Sequence, residues 1–530
     1  MKFKLFSLTI ILTSFLFAQN SDYKIIAHSV VSFDEMIQYD KTHKQETRKA
    51  IPIGKINCDK MIINSPKQPD VNNNKSLASQ SYSSAPSYPI ILDNGFQAIP
   101  DNNTSIPPDT MGAAGPNHLM ATLNTQVRIQ NKSGSSISTV SLNSFWSSVN
   151  GGSDSFDPKI YYDAGANRFI FTAMDDAWAP ASGILIGVTE TSDPTGNWFL
   201  WKVDADSTDT YWADFPSIGF NSKWIAFSAN MYANSDGSPN GCKIWVFDKT
   251  NTYANNLLIC RVFSTNFQTM VPCVTFGNEQ DLYTVESGWY LGLDDYVRID
   301  KITGPLYSPT FNYVRSIIVP SALTPTTAPQ LGGIRKIENG DMRISSSPVF
   351  RFGHIFFTYC GKKLSPERNV IVWGELDPNS PNAVQTGIVQ ETSVPIYYAF
   401  PSIAVNSQTS IVLGFAGFST GIYASAYYTG RERTDPPHTM RSPRLLKAGE
   451  DYYYKTFSGS DNRWGDYSAT CIDPADDFSF WTIQEYAMPE FNATYDRWGT
   501  WWGKISFVPE PVSIYYLSFV IFYLLVNKKK

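Results

Sequence analysis

Five times along the chain a proline opens a short apolar strand, and a second apolar run follows after a polar turn. The copies begin at Pro158, Pro216, Pro272, Pro348 and Pro401, and their partner runs at Arg168, Lys223, Asp281, His354 and Ser410. Two looser copies lack the proline and start at Asp109 and Asp466. A second element recurs later in the unit. The stretches starting at Val127 (VRIQNKSG) and Val297 (VRIDKITG) are nearly the same strand and turn, with WVFDKT at Trp245 a looser relative. Each full copy ends on a glycine, Gly134 or Gly304, which supplies the positive φ of a tight reversal. The period is roughly 60 residues, the size of a four-stranded blade with loops. A unit of that size cannot bury its apolar face alone and must stack on its neighbours. Radial closure does this while leaving no long sheet edge exposed. The pattern therefore predicts an all-β chain: a seven-bladed β-propeller over residues 95–507, the spacing being compatible also with six or eight blades. Two β-sandwiches with ordinary strand alternation are the competing arrangement.

Composition fits such stacking. Aromatic residues make up 14% of the 530 and charged residues 17%, the latter against a usual share of about 25%. That ratio supplies bulky packing between sheets and excludes wholesale disorder. The net charge of −6 argues against nucleic acid as a partner, since phosphate binding needs a local excess of cations. Five histidines leave little material for a multi-histidine metal centre.

The two ends read as addresses. Residues 1–18 form a signal peptide: Lys2 and Lys4 precede an uncharged apolar run over residues 5–17, and Ala18 is the small residue at the cleavage point. The mature chain is expected to be exported. Residues 19–94 are an N-terminal segment and linker, whose stretch 65–89 is rich in Ser, Asn, Pro and Gln without apolar periodicity. At the C-terminus residues 512–526 carry no charge and are followed by Lys528, Lys529 and Lys530. As a short hydrophobic helix this segment holds the chain at the membrane, with the lysines kept on the cytoplasmic side.

Pro509, Glu510 and Pro511 stand just before that apolar segment. The order of Pro-Glu-Pro, hydrophobic helix and basic cluster over residues 508–530 resembles the PEP-CTERM sorting signal of bacterial exosortase substrates. The resemblance implies a Gram-negative host, a membrane-anchored precursor, and transient recognition and cleavage by an exosortase. Release to the cell envelope or the extracellular space then follows. The prolines stop the helix from continuing outward and leave an extended, accessible strip. The central region resembles a group of secreted bacterial propeller proteins of unassigned activity. The likeness rests on Pro107-Pro-Asp-Thr-Met-Gly112, on Asp157 with Tyr162 and Asp163, and on Arg463-Trp-Gly-Asp-Tyr467.

Candidate chemistry is sparse. Asp109, Asp157, Asp214 and Asp466 each stand just ahead of a repeat strand, so closure of the ring gathers them on consecutive blades at one channel mouth. Converging carboxylates suit Ca²⁺, which takes six to eight oxygen ligands. Alternatively each aspartate accepts backbone N–H groups and fixes the tight start of its strand. Register speaks against a shared site: Asp157 stands one residue before Pro158 and Asp214 two before Pro216, and a one-residue slip turns a side chain to the other face. A sialidase-like propeller glycosidase needs clustered arginines, for which Arg315, Arg335, Arg343 and Arg351 are available, together with a tyrosine and an acid. No metalloprotease, nucleophile-elbow or P-loop motif is present. Six cysteines occur without a C-x-x-C. Cys242 and Cys260 bracket a hairpin and form the best candidate disulfide. The functional expectation is a non-catalytic envelope or matrix protein that binds polysaccharide or protein partners. Glycan binding follows from the exosortase resemblance, and a propeller glycoside hydrolase acting on extracellular glycans is the alternative.

Overall fold

The computed structural model describes residues 23–43, 90–287, 295–391, 394–457, 462–492 and 495–507. The expected signal peptide, most of the expected linker and the whole expected sorting tail lie outside these residues. No helix among the described residues is long and apolar enough to cross a membrane.

The chain is an all-β propeller. Its opening sheet runs outward in chain order as Met111–Ala114, His118–Thr122, Gln126–Asn131 and Ser136–Ser141. The next comprises Ser155–Asp163, Arg168–Asp175, Gly183–Thr189 and Asn197–Asp204, to which Ile25–Ser32 adds an antiparallel outermost strand. A nine-stranded sheet holds two antiparallel meanders, one over residues 211–265 and one over 349–389. The short strand Val274–Thr275 lies between them, parallel to the innermost strand of each. Val271–Pro272, Leu282–Ser287, Tyr296–Thr303 and Thr310–Ile318 form a further sheet. Another holds Tyr397–Val405, Ile411–Ser419, Ile422–Arg431 and Arg444–Lys447.

The last sheet closes the ring. Ala469–Ile472, Phe480–Asn492 and Tyr495–Phe507 come from the C-terminal end, and Ile90–Pro100 from the start pairs antiparallel with the last of them, Ile90 opposite Phe507. The innermost strand of this sheet packs against that of the opening sheet, and contacts between inner strands run on around the circle, Val274–Thr275 making the link to Val349–Arg351. Gly112, the glycine of the Pro-Pro-Asp-Thr-x-Gly segment, sits at the seam. A Cβ there would lie 2.5 Å from the Trp502 ring and 3.1 Å from Ile483, so the last sheet closes on the first only over a hydrogen.

The five proline-led strands are all innermost, and three share a local device. Asp157, Phe215 and Phe400, each immediately before its proline, have φ of 54°, 54° and 53°. Pairing with the next strand shifts register at the same places, between Phe156 and Lys159, Asp214 and Ser217, and Ala399 and Ser402. Each proline therefore marks a bulge that bends the strand into the channel.

Residues 25–42 are part of the propeller body. Ile25–Ser32 leads into the helix Phe33–Thr42, whose start is a capping box between Ser32 and Glu35. Phe33 of that helix packs edge-on against Phe145 of the helix Leu142–Asn150, with ring centroids 6.2 Å apart. The hairpin disulfide does not form. Cys242 and Cys260 are both free, because the strand register sets Cys242 opposite Thr265 and Phe247 opposite Ile259. The two cysteines are thus about four residues out of step, roughly 13 Å, far beyond disulfide reach.

Candidate functional site

The bulges answer the register objection. Phe215 occupies the extra position, and its backbone N–H lies between two carboxylates, donating to Asp214 Oδ1 at 2.9 Å and to Asp157 Oδ2 at 3.2 Å. The acids one and two residues before their prolines thereby meet. Asp109 Oδ1 accepts from the backbone N–H of Asp466 at 2.9 Å, across the seam of the ring. Asn124 extends the chain of bonds: its Nδ2 donates to Asp109 Oδ2 at 2.6 Å, and its Oδ1 accepts from the Asp157 N–H at 2.7 Å. Asp466, Asp109, Asn124, Asp157 and Phe215 thus form a continuous string from the last sheet to the start of the nine-stranded one.

All four aspartates are buried. Burial pushes the Asp109 carboxyl well above its ordinary range, and the charges of Asp466 and Asp157 push it further. Asp214 is raised well above its usual value by burial and then by Asp157 and Asp466. Asp157 is raised by burial and by Asp466, while hydrogen bonds from Asp214 and Tyr467 pull it back. Of this pair Asp214 is the one held further toward its neutral form, its interaction with Asp157 adding to the effect of burial. Glu485, buried near Asp109 and Asp101, is likewise raised.

Cations surround this cluster. Arg463 donates to Asp466 Oδ1 at 2.8 Å. Lys159, one residue beyond Pro158, places its Nζ 3.4 Å from the centre of the Tyr467 ring and donates to the Ser345 carbonyl at 2.6 Å. Burial lowers its pKa to about 7 against the attraction of Asp157, Asp109 and Asp466. Arg343 lies over the Phe215 ring at 4.3 Å and pairs with Asp341 at 2.7 Å.

Arg343 and Ser345 belong to a segment, residues 338–347, that covers the acids. It starts on a bridge between Glu338 and Arg463. It ends with the Ser347 N–H donating to the Tyr161 hydroxyl at 3.0 Å and Ser347 Oγ donating to the Ile218 carbonyl at 2.6 Å. Only a void of about 20 Å³ remains between it, Asp466 and Phe215. Among the described residues no three His, Cys, Asp or Glu side chains are arranged to hold a metal ion.

The four candidate arginines stand apart, and three of them have separate partners. Arg343 serves the covering segment, Arg351 pairs with Asp477 at 2.8 Å, and Arg335 lies over the Tyr454 ring at 5.1 Å. Arg315 sits on the outermost strand of its sheet. Sequence reading missed Lys159, Glu485 and the covering segment. Lys159 lies inside the repeat that begins at Pro158, but the others reach the mouth only through contacts between distant parts of the chain.

The far ends of the same inner strands enclose a different space, a cavity of about 240 Å³. Tyr161, Tyr162, Phe276, Val349, Ile403 and Ile472 supply most of its apolar wall. Ser347, Thr470, Cys471 and Asp477 are its polar members.

No known protein-family profile matches the chain, and no curated protein matches it. Solved structures do resemble it weakly. A Hadza microbial sialidase is 10% identical, with 72% of this chain and 73% of that one covered and a TM-score of 0.34. The endosialidase of phage phi92 is 7% identical over 67% of each chain, with a TM-score of 0.32. An α-L-arabinofuranosidase from Fusarium graminearum is 9% identical over 65% of this chain and 91% of its own, with a TM-score of 0.35. Likeness at this level carries no argument about what the chain does.

Proposed function

We propose that this chain is an exported propeller of the cell envelope or extracellular matrix that binds polysaccharide or protein partners without cleaving them. The single observation that supports the non-catalytic reading is the state of the acids. Glycoside hydrolysis needs two carboxylates open to substrate, one to protonate the leaving oxygen and one to attack or activate water. Here Asp109 and Asp157 are tied to backbone or amide donors from other parts of the ring and Asp214 to the next N–H of its own strand, and residues 338–347 lie over them. Export through the signal peptide and sorting by an exosortase at Pro509, Glu510 and Pro511 complete the proposal and rest on the sequence of the two ends.

The ring has seven blades in this reading, the nine-stranded sheet counting as two joined by Val274–Thr275. Its support is that every unit so counted is an antiparallel meander running outward in chain order, with Ile25–Ser32 added outermost to the second and Ile90–Pro100 completing the last.

A glycan array run beside sugar-release assays on the same preparation tests the binding function. Saturable binding without released sugar is the expected result, and release abolished by Asp109→Asn would overturn it. Intact-mass analysis of envelope protein tests the sorting: the expected mass lacks residues after Pro511, and a full-length tail would refute it.

A further inference from the structure

The cavity at the far end of the channel has no role in the string of acids, and its walls state what it can hold. The buried polar side chains on it already have partners. The Tyr161 hydroxyl accepts from the Ser347 N–H, and Ser347 Oγ donates to Ile218. Thr470 Oγ1 bonds Ser402 Oγ at 2.8 Å and Thr482 Oγ1 at 2.9 Å. Arg351 holds Asp477, and burial keeps the Cys471 thiol neutral, its pKa raised to about 12. A sugar ring placed here would leave its hydroxyls without partners, at a cost of several kcal/mol. An apolar group would lose nothing. A dry cavity of about 150 Å³ accommodates benzene, so about 240 Å³ suits a group of roughly ten carbon atoms.

The rim carries a second, independent sign. Phe352 sits in a tight hairpin turn at φ 56°, followed by Gly353 at 81°, positions that normally take Asn or Gly. A bulky residue held there is strained, and such strain gathers at ligand clamps. Its ring is 56% exposed, so core packing does not explain the choice. The Arg351 guanidinium lies 5.1 Å from this ring and 4.7 Å from that of Phe276, a residue of the cavity wall. The arginine thus fixes an aromatic plane beside the opening.

We infer that this cavity is a binding site for an uncharged apolar group of about ten carbons, an aliphatic chain or a fused aromatic ring, entering past Phe352. The site stands apart from glycan or protein binding by the outer surface.

The test uses the purified full-length chain and two kinds of probe: 2-naphthol, followed by its own fluorescence, and 1-alkanols from hexanol to dodecanol, followed by calorimetry. One saturable site is expected. Alkanol affinity should tighten about fourfold per methylene and level off near ten carbons. Ala164 lines the mouth and is exposed in a turn, so Ala164→Trp should block the opening without disturbing the core. At least a tenfold loss of affinity is expected from it, and a severalfold loss from Phe352→Ala. Absence of saturable binding, binding unchanged in Ala164→Trp, or displacement of naphthol by methyl glucoside would each overturn the inference. None of these outcomes bears on the glycan-array result.

Discussion

The two ends of the channel are formed by the same inner strands and hold opposite contents. Where those strands begin, Asp109, Asp157, Asp214 and Asp466 lie with Lys159 and Arg463 beneath a covering segment that contributes Arg343. Where they end, tyrosines, Phe276 and aliphatic side chains face an open cavity. The first end has charge and no space, and the second has space and no free charge. In a ring of separate sheets something must hold each innermost strand to the next, and backbone ladders do so only in part. Side chains that accept a neighbour's N–H supply the rest, and they work best where water is excluded. The acid end therefore reads as the fastener of the ring, which leaves the apolar end free for a ligand.

The sharpest way to break this contrast is Asp109→Ala. It leaves the Asp466 N–H at the seam without its acceptor and takes from Asn124 Nδ2 one of two acceptors, the other being the Pro107 carbonyl. One unsatisfied donor and one further lost hydrogen bond should lower stability by about 2–3 kcal/mol in urea unfolding. A loss below about 0.5 kcal/mol would remove the fastener. Next in size is Gly112→Ala. Its Cβ would meet the Trp502 ring at 2.5 Å, and overpacking of this kind costs about 1–3 kcal/mol. An unchanged midpoint would show that the seam can yield.

Stability against pH tests the charge itself. Asp109, Asp157 and Asp214 have raised values in the folded chain, so above pH about 4 the folded state keeps protons that the unfolded chain has released. The stabilising effect is whole at acid pH and is lost as pH rises through the folded values. The slope is about 1.4 kcal/mol per pH unit for each proton retained. Lys159 has the opposite sign. Its folded value of about 7 lies below the unfolded value near 10.4, so its contribution grows with pH between the two. Urea midpoints should fall from pH 5 to 7 and flatten above 7. Asp214→Asn, which keeps a donor toward Asp157, should make the fall shallower. Identical slopes in the two proteins would exclude the shared-proton description.

Legibility in the sequence followed the range of the interactions. The proline-led strands and the four acids were readable because each is a local pattern, and in a ring local patterns repeat at equivalent places. The bulge was hidden, since one residue at positive φ leaves no mark in apolar periodicity when that residue is Phe215 or Phe400. Ile25–Ser32 shows alternating burial, yet its partner Asn197–Asp204 lies far along the chain, and nothing local announces the pairing. Cys242 and Cys260 misled for a related reason: the short helix Lys249–Tyr253 occupies the turn they bracket and sets a register that separates them. The covering segment and the far cavity arise from convergence of many strands and have no local signature.

The smallest expected effect bears most directly on the apolar end. Phe352→Asn places a residue that tolerates positive φ in a turn now held by phenylalanine. Relief of strain should raise stability by about 0.5–1 kcal/mol, read from the urea midpoint. The same change removes the ring beside the opening and should weaken 2-naphthol severalfold. A residue kept only for folding would not behave in this way, because its best replacement for stability would leave binding untouched. If Phe352→Asn stabilises the chain and binding is unaltered, the exposed ring is incidental and the rim has no part in recognition. If stability falls instead, the stacking of Arg351 between Phe276 and Phe352 outweighs the backbone strain, and the turn belongs to the structure of the ring.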